Sequence, residues 1–187
     1  PVSTTVVKKQ QNVPTTGLVF TAGAQSDILV TSLILTGTAS TTAAYAVGNL
    51  KDVVTRCGLY NGATLVGIAQ APDTTAGTMN ITNMNFRVTK GTSQTLLVKC
   101  ETDSTIANSV GDIYNIGIAT AATDVTAQDG DGNTVTATLS TGVTTNAAST
   151  SPAVVITVRN AGTMTITTDS LRQSTILVGG TDVWQNF

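Results

Sequence analysis

Short runs in which apolar and polar residues alternate recur along this 187-residue chain, divided by clusters of Gly, Asn, Asp and Thr. That two-residue period predicts strands rather than helices. The clearest instance is residues 53–68, which read VVTRCGLY, then Asn61-Gly62, then ATLVGI. β-Branched and aromatic residues on both sides of Asn-Gly predict a hairpin with Asn61 and Gly62 at the centre of a type I′ turn, because both central positions need positive φ. On its first strand Val53, Thr55, Cys57 and Leu59 share one face and Val54, Arg56, Gly58 and Tyr60 the other, so Cys57 points inward. The segment TLLVKC gives a second strand whose apolar face is Leu96, Val98 and Cys100.

The remaining pattern extends this reading. Residues 27–36, DILVTSLILT, are a dense apolar run with Leu29, Leu33 and Leu35 in register, as in a strand buried in a sandwich. Residues 37–50, rich in Thr, Ala and Gly, read as a loop with room for a helical turn at 43–46. A turn at 72–77 leads into Met84, Phe86 and Val88, and Lys90-Gly91-Thr92 turns the chain into the Cys100 strand. Tyr114, Ile116 and Ile118 line another strand, and a tight turn at 129–133 separates 124–127 from 134–139. Val154, Ile156 and Val158, then Met164 and Ile166, complete the series. Residues 1–17 are polar, contain Pro14 and hold Val6-Val7 as their one apolar spot, which suits a linker or an edge-type strand. No segment carries a 3.6-residue period, so the fold class is all-β, a sandwich of short strands.

Composition narrows the chemistry. Hydrophobic residues make up 41% but aromatics only 4%, so the core must come from Val, Ile, Leu and Ala. Charged residues are 11% with net charge −2, which argues against a nucleic-acid surface. No apolar run reaches the roughly 20 residues that span a bilayer, so no membrane insertion is expected. The chain starts at Pro1 with no initiator Met or signal peptide, as a processed chain or a piece of a longer one would. Its two cysteines fit one buried bridge in an oxidising compartment, or two buried thiols.

Histidine is absent, which removes the usual general base, the Ser-His-Asp and Cys-His sites and ordinary zinc sites. Glu101 is the one glutamate, and the aspartates fall mostly at turns, where their side chains bond nearby backbone. Neither phosphate-binding glycine motif occurs. The expectation is a protein that is not an enzyme and has no cofactor, with calcium as the one ion to consider. Asp129, Asp131 and Asn133 are spaced as the first three ligands of an oxygen-donor calcium loop, but the acid at its twelfth position is missing. A plain Asp-Gly turn is the competing reading. Asn80-Ile81-Thr82 fits the glycosylation acceptor pattern. Trp184, the one tryptophan, reads as a sugar-stacking platform or as an apolar anchor.

Four stretches, CGLYNGATLVG, VTKGTSQTLLVKCETDS, AATDVTAQDGDGNTVTATLS and AGTMTITTDSLRQSTILVGGTDVWQNF, resemble in that order the tandem immunoglobulin-like modules of large bacterial and archaeal cell-surface proteins, S-layer-like ones included. The resemblance implies an immunoglobulin-like β-sandwich with extended terminal strands, exposed outside the cell or on its surface, that links and spaces without catalytic residues. The cysteine pair and residues 37–50 depart from the pattern. The division expected is an extension, linker or exchanged strand at 1–17, the sandwich at 18–168, and a strand extension at 169–187 toward a next module or a neighbouring subunit.

Sheet edges suggest how such a chain would assemble. Exposed edge strands accept any strand of suitable pattern, and both terminal segments carry one: Val6 and Val7 at one end, Val183, Trp184 and Phe187 at the other. The function expected is a structural subunit or module of an extracellular filament or surface layer, joined head to tail by strand addition. Its partners are copies of itself or neighbouring modules of the same chain, not nucleic acid. The alternative is an adhesin or carbohydrate-binding module, which would use exposed aromatics or a calcium loop. With 1 Trp and 3 Tyr the chain has few residues for it.

Overall fold

The computed structural model describes residues 4–41, 46–103, 105–106, 111–138 and 155–160. In chain order the strands are β1 (Thr4–Val7), β2 (Val13–Thr21), β3 (Ile28–Ser40), β4 (Val54–Asn61), β5 (Thr64–Leu65), β6 (Thr78–Ile81), β7 (Phe86–Val88), β8 (Ser93–Thr102), β9 (Asp112–Gly117), β10 (Val125–Gln128), β11 (Thr134–Val135) and β12 (Ile156–Arg159). A 3-10 turn at Val47–Asp52 and a one-turn helix α1 at Ala121–Asp124 are the helical pieces among the described residues. The described strands form two sheets, one of eight strands and one of four, so the protein is all-β with a sandwich architecture.

Strand β3 organises the larger sheet. Thr36 pairs with Thr78 of β6 on one side and with Gly117 of β9 on the other. Strands β6 and β7 run down one flank in succession, and β9 and β10 run down the opposite flank with α1 between them. The far side of β9 carries β12, which carries β1. The smaller sheet has the order β2-β8-β4-β5.

Between the sheets lie Val13, Leu33, Leu35, Leu59, Ile81, Leu96, Val98, Tyr114 and Ile116, all inaccessible to solvent. Phe20 of β2 meets Phe86 of β7 edge to face at 5.5 Å, an aromatic contact between the two layers. The Thr16 hydroxyl donates to the Ile116 carbonyl at 2.7 Å and makes a second link.

Several expectations from the sequence change here, each for a local reason. Val30, not Leu29, shares the core with Leu33 and Leu35. The pairing with β10 steps from Ser32 to Val30, so Thr31 is an extra residue that reverses the alternation. On β4, Thr55 is likewise skipped between the Val54 and Arg56 pairings, so Val54 takes the inward place expected for Thr55 while Cys57 and Leu59 keep theirs. The hairpin turn is shifted by one residue. Asn61 pairs with Thr64, so Gly62 and Ala63 form the loop, and Gly62 alone has positive φ (61°), the type II′ pattern.

Residues 37–40 continue β3 instead of opening a loop. A Cβ on Gly37 would lie 2.6 Å from the Asn115 carbonyl oxygen and 2.8 Å from Leu50, so this glycine permits close packing inside a strand rather than ending it. The part of the expected helical turn at 43–45 lies outside the described residues, and the 3-10 turn follows it. The boundary placed between residues 17 and 18 falls inside β2, whose pairing with β8 runs from Val13 to Thr21. Pro14 is accommodated because β2 is an edge strand with a register shift between Pro14 and Thr16, where a missing N–H costs no ladder bond.

Candidate functional site

The smaller sheet holds the disulfide. Cys57 of β4 stands directly opposite Cys100 of β8, with the sulfurs at 2.09 Å and the Cα atoms at 4.1 Å. Cys57 spends both backbone groups on Gln70, donating at 2.8 Å to its carbonyl and accepting at 3.0 Å from its amide. Its pairing toward Cys100 is therefore the non-hydrogen-bonded kind, in which opposed side chains come closest. Both cysteines are buried, so the bridge ties neighbouring strands on their inner face.

On the outer face of the same strands Arg56 pairs with Glu101 at 2.8 Å, and the Lys99 ammonium sits 4.6 Å from the Tyr60 ring centre. The hydrogen bond from Arg56 to Glu101 raises the guanidinium above its ordinary value. Leu65 lies over Gly58, where a Cβ would be 2.7 Å from its methyl. These side chains surround a shallow pocket of about 100 Å³. Small-molecule sites typically enclose roughly 300–1,000 Å³, so this depression offers little to a sugar or substrate.

The loop around Asp129 is built as a turn. One carboxylate oxygen accepts from the Asp131 amide at 3.0 Å and the Asn133 amide at 2.8 Å, and the other accepts from Asn133 Nδ2 at 3.1 Å. Gly132 adopts φ 84° and donates to the Asp129 carbonyl at 3.1 Å. These donors, Asn133 first, hold the Asp129 carboxyl below the usual carboxylate range. Asn133 thus turns its amide nitrogen, not its oxygen, toward Asp129. The structure brings Asp129 and Asn133 together and leaves Asp131 contributing its backbone. No cluster of three or more His, Cys, Asp or Glu suited to a metal occurs among the described residues.

The strand edges are more informative. Strand β2 pairs with β8 on one side, and no strand pairs with its other side among the described residues. Its nine residues, VPTTGLVFT, carry no charge, and Val19 is 67% exposed. Natural edges are usually blunted by charge, and this one carries none over the stretch beyond its Pro14 bulge.

The expected assembly residues divide. Val6 and Val7 lie in β1, opposite Val158 and Arg159 of β12 in the same chain, the one parallel pairing among the described strands. Val6 packs on the core and Val7 is exposed. Val183, Trp184 and Phe187 lie outside the described residues. Sequence reasoning missed Thr102, which is buried at the end of β8 and holds the connector between β1 and β2. A lone threonine closing an apolar strand gives no signal of such a role.

No family model matches the chain, and neither a curated protein nor a solved structure matches it. No helix among the described residues is long and apolar enough to cross a membrane.

Proposed function

We propose that this chain is a non-enzymatic structural module of an extracellular filament or cell-surface layer, an immunoglobulin-like sandwich whose copies join by β-strand addition. The observation that carries this reading is the uncharged β2 edge, paired on one side only among the described residues. The backbone groups along such an edge match any extended segment, and main-chain bonding supplies adhesion in proportion to length. A contact between an edge and a terminal segment is heterologous, so it need not close and propagates into a fibre or sheet. The buried disulfide supports placement outside the cytoplasm, where such bonds persist. The lack of any histidine in the sequence supports a role without acid–base chemistry.

Electron microscopy of the native material tests the reading. Regular filaments or sheets are expected, and monodisperse particles at all concentrations would overturn it. Val19→Lys puts a charge on the open edge at an exposed position, and assembly should be lost while the melting temperature of the soluble protein stays the same. Deleting residues 1–7, which spares β2, in one chain and 180–187 in another asks which terminal segment joins the copies. If both still assemble as the full chain does, neither segment does.

A further inference from the structure

Strand β1 is attached to its sheet in a way that invites exchange between copies. It is short, lies at the sheet edge, and pairs with β12 alone among the described strands, with Thr4, Thr5, Val6 and Val7 opposite Ile156, Thr157, Val158 and Arg159. A five-residue connector, 8–12, takes the chain from the larger sheet to β2 in the smaller one. Two non-glycine residues in that connector, Lys9 (φ 61°) and Asn12 (φ 55°), sit in the left-handed region. Side chains carry a steric cost there that vanishes if the backbone extends. Five extended residues reach roughly 17 Å, enough to carry β1 away from its own sheet.

We infer that β1 exchanges between copies: it leaves its own β12 and fills the identical slot beside β12 of a second molecule, and the connector straightens as it does so. The partner is thus a second copy of this chain. Exchange of an identical element recreates every strand contact, so it costs little at the slot, and relief at a short strained hinge favours it. The bonds that hold the closed form are few. Lys8 donates its amide to the Arg159 carbonyl at 3.0 Å, and Thr102 clasps the connector through Val7 and Gln10. This rests on the assembly reading above and adds to its β2 edge a second contact, with one strand, one slot and one hinge of its own.

Thr5 and Thr157 are paired across the β1–β12 seam, and neither is fully buried. Chains carrying Thr5→Cys alone and Thr157→Cys alone are mixed, allowed to assemble, treated with a short thiol cross-linker with the native disulfide intact, and mapped by peptide mass. Links between position 5 of one chain and 157 of the other are expected in clear excess over 5–5 and 157–157 links. Absence of that excess overturns the exchange. If filaments form without it, exchange fails while assembly by another edge stands; if the excess appears in closed dimers without filaments, exchange stands and the filament reading fails. Lys9→Gly with Asn12→Gly removes the side-chain cost in the hinge and should reduce the exchanged fraction on the order of fivefold. An unchanged fraction would overturn the role given to the hinge.

Discussion

Thr102 and Gln10 hold each other across the end of the smaller sheet. The Thr102 amide donates to the Gln10 carbonyl at 2.9 Å, and the Gln10 amide donates to the Thr102 hydroxyl at 3.1 Å. The hydroxyl's own proton reaches the Val7 carbonyl at 3.1 Å. One side chain, 1% exposed, thus fixes the passage of the chain from one layer to the other. Thr102→Val keeps the shape and removes the hydroxyl's bonds to Gln10 and Val7. It should destabilise by about 1–3 kcal/mol because it strands polar groups of the connector, whereas Thr102→Ser should retain most of the stability. Urea unfolding of the two variants checks this.

The disulfide should matter at equilibrium. It closes a loop with a sequence separation of 43, for which chain entropy gives a stabilisation of about 3–4 kcal/mol. Cys57→Ala with Cys100→Ala should lower the denaturant midpoint accordingly, and the mass of the wild-type protein under non-reducing conditions should show no free thiol.

Gly37→Ala tests the close approach within β3. The added methyl would meet the Asn115 carbonyl oxygen at 2.6 Å and Ile116 at 2.9 Å, and neither can retreat without disturbing β9. A loss of about 1–3 kcal/mol is expected, as for an overpacked core, with a matching fall in melting temperature. By contrast Gly91→Ala meets nothing within 4 Å, so its only cost arises from φ 70°.

Stability should decline toward both acid and strong alkali. Backbone amides hold the carboxyls of Asp27 and Asp73 below 3.8, and Asn133 does the same for Asp129. A folded value below the unfolded one means that the stabilisation is present above about pH 4 and is lost as pH falls through the folded values. Tyr114 shows the opposite sign. Burial pushes its phenol up to about 12 from 10.0, so its contribution is intact below pH 10 and is lost as pH rises toward 12. Melting curves from pH 2 to 12 check the window, and Asp129→Asn should flatten part of the acid limb.

The alternation of apolar residues was enough to determine an all-β chain, the inward faces of Cys57, Leu96, Val98 and Cys100, and the turn chemistry at Asp129, because strand period and turn preference are local properties. What tertiary structure decided was non-local. Thr31 and Thr55 are skipped in pairing only because of how β10 and β8 lie beside their strands, and those bulges choose Val30 and Val54 for the core. Gly37 reads as a breaker along the chain, yet it serves as a contact point once Leu50 and β9 press against it. The polar stretch before residue 18 reads in isolation as a linker or an edge-type strand, and β8 and β12 supply the hydrogen-bond partners that decide for strands. A strand with few apolar residues becomes stable only where a neighbour already offers an edge, and no sequence window contains that neighbour.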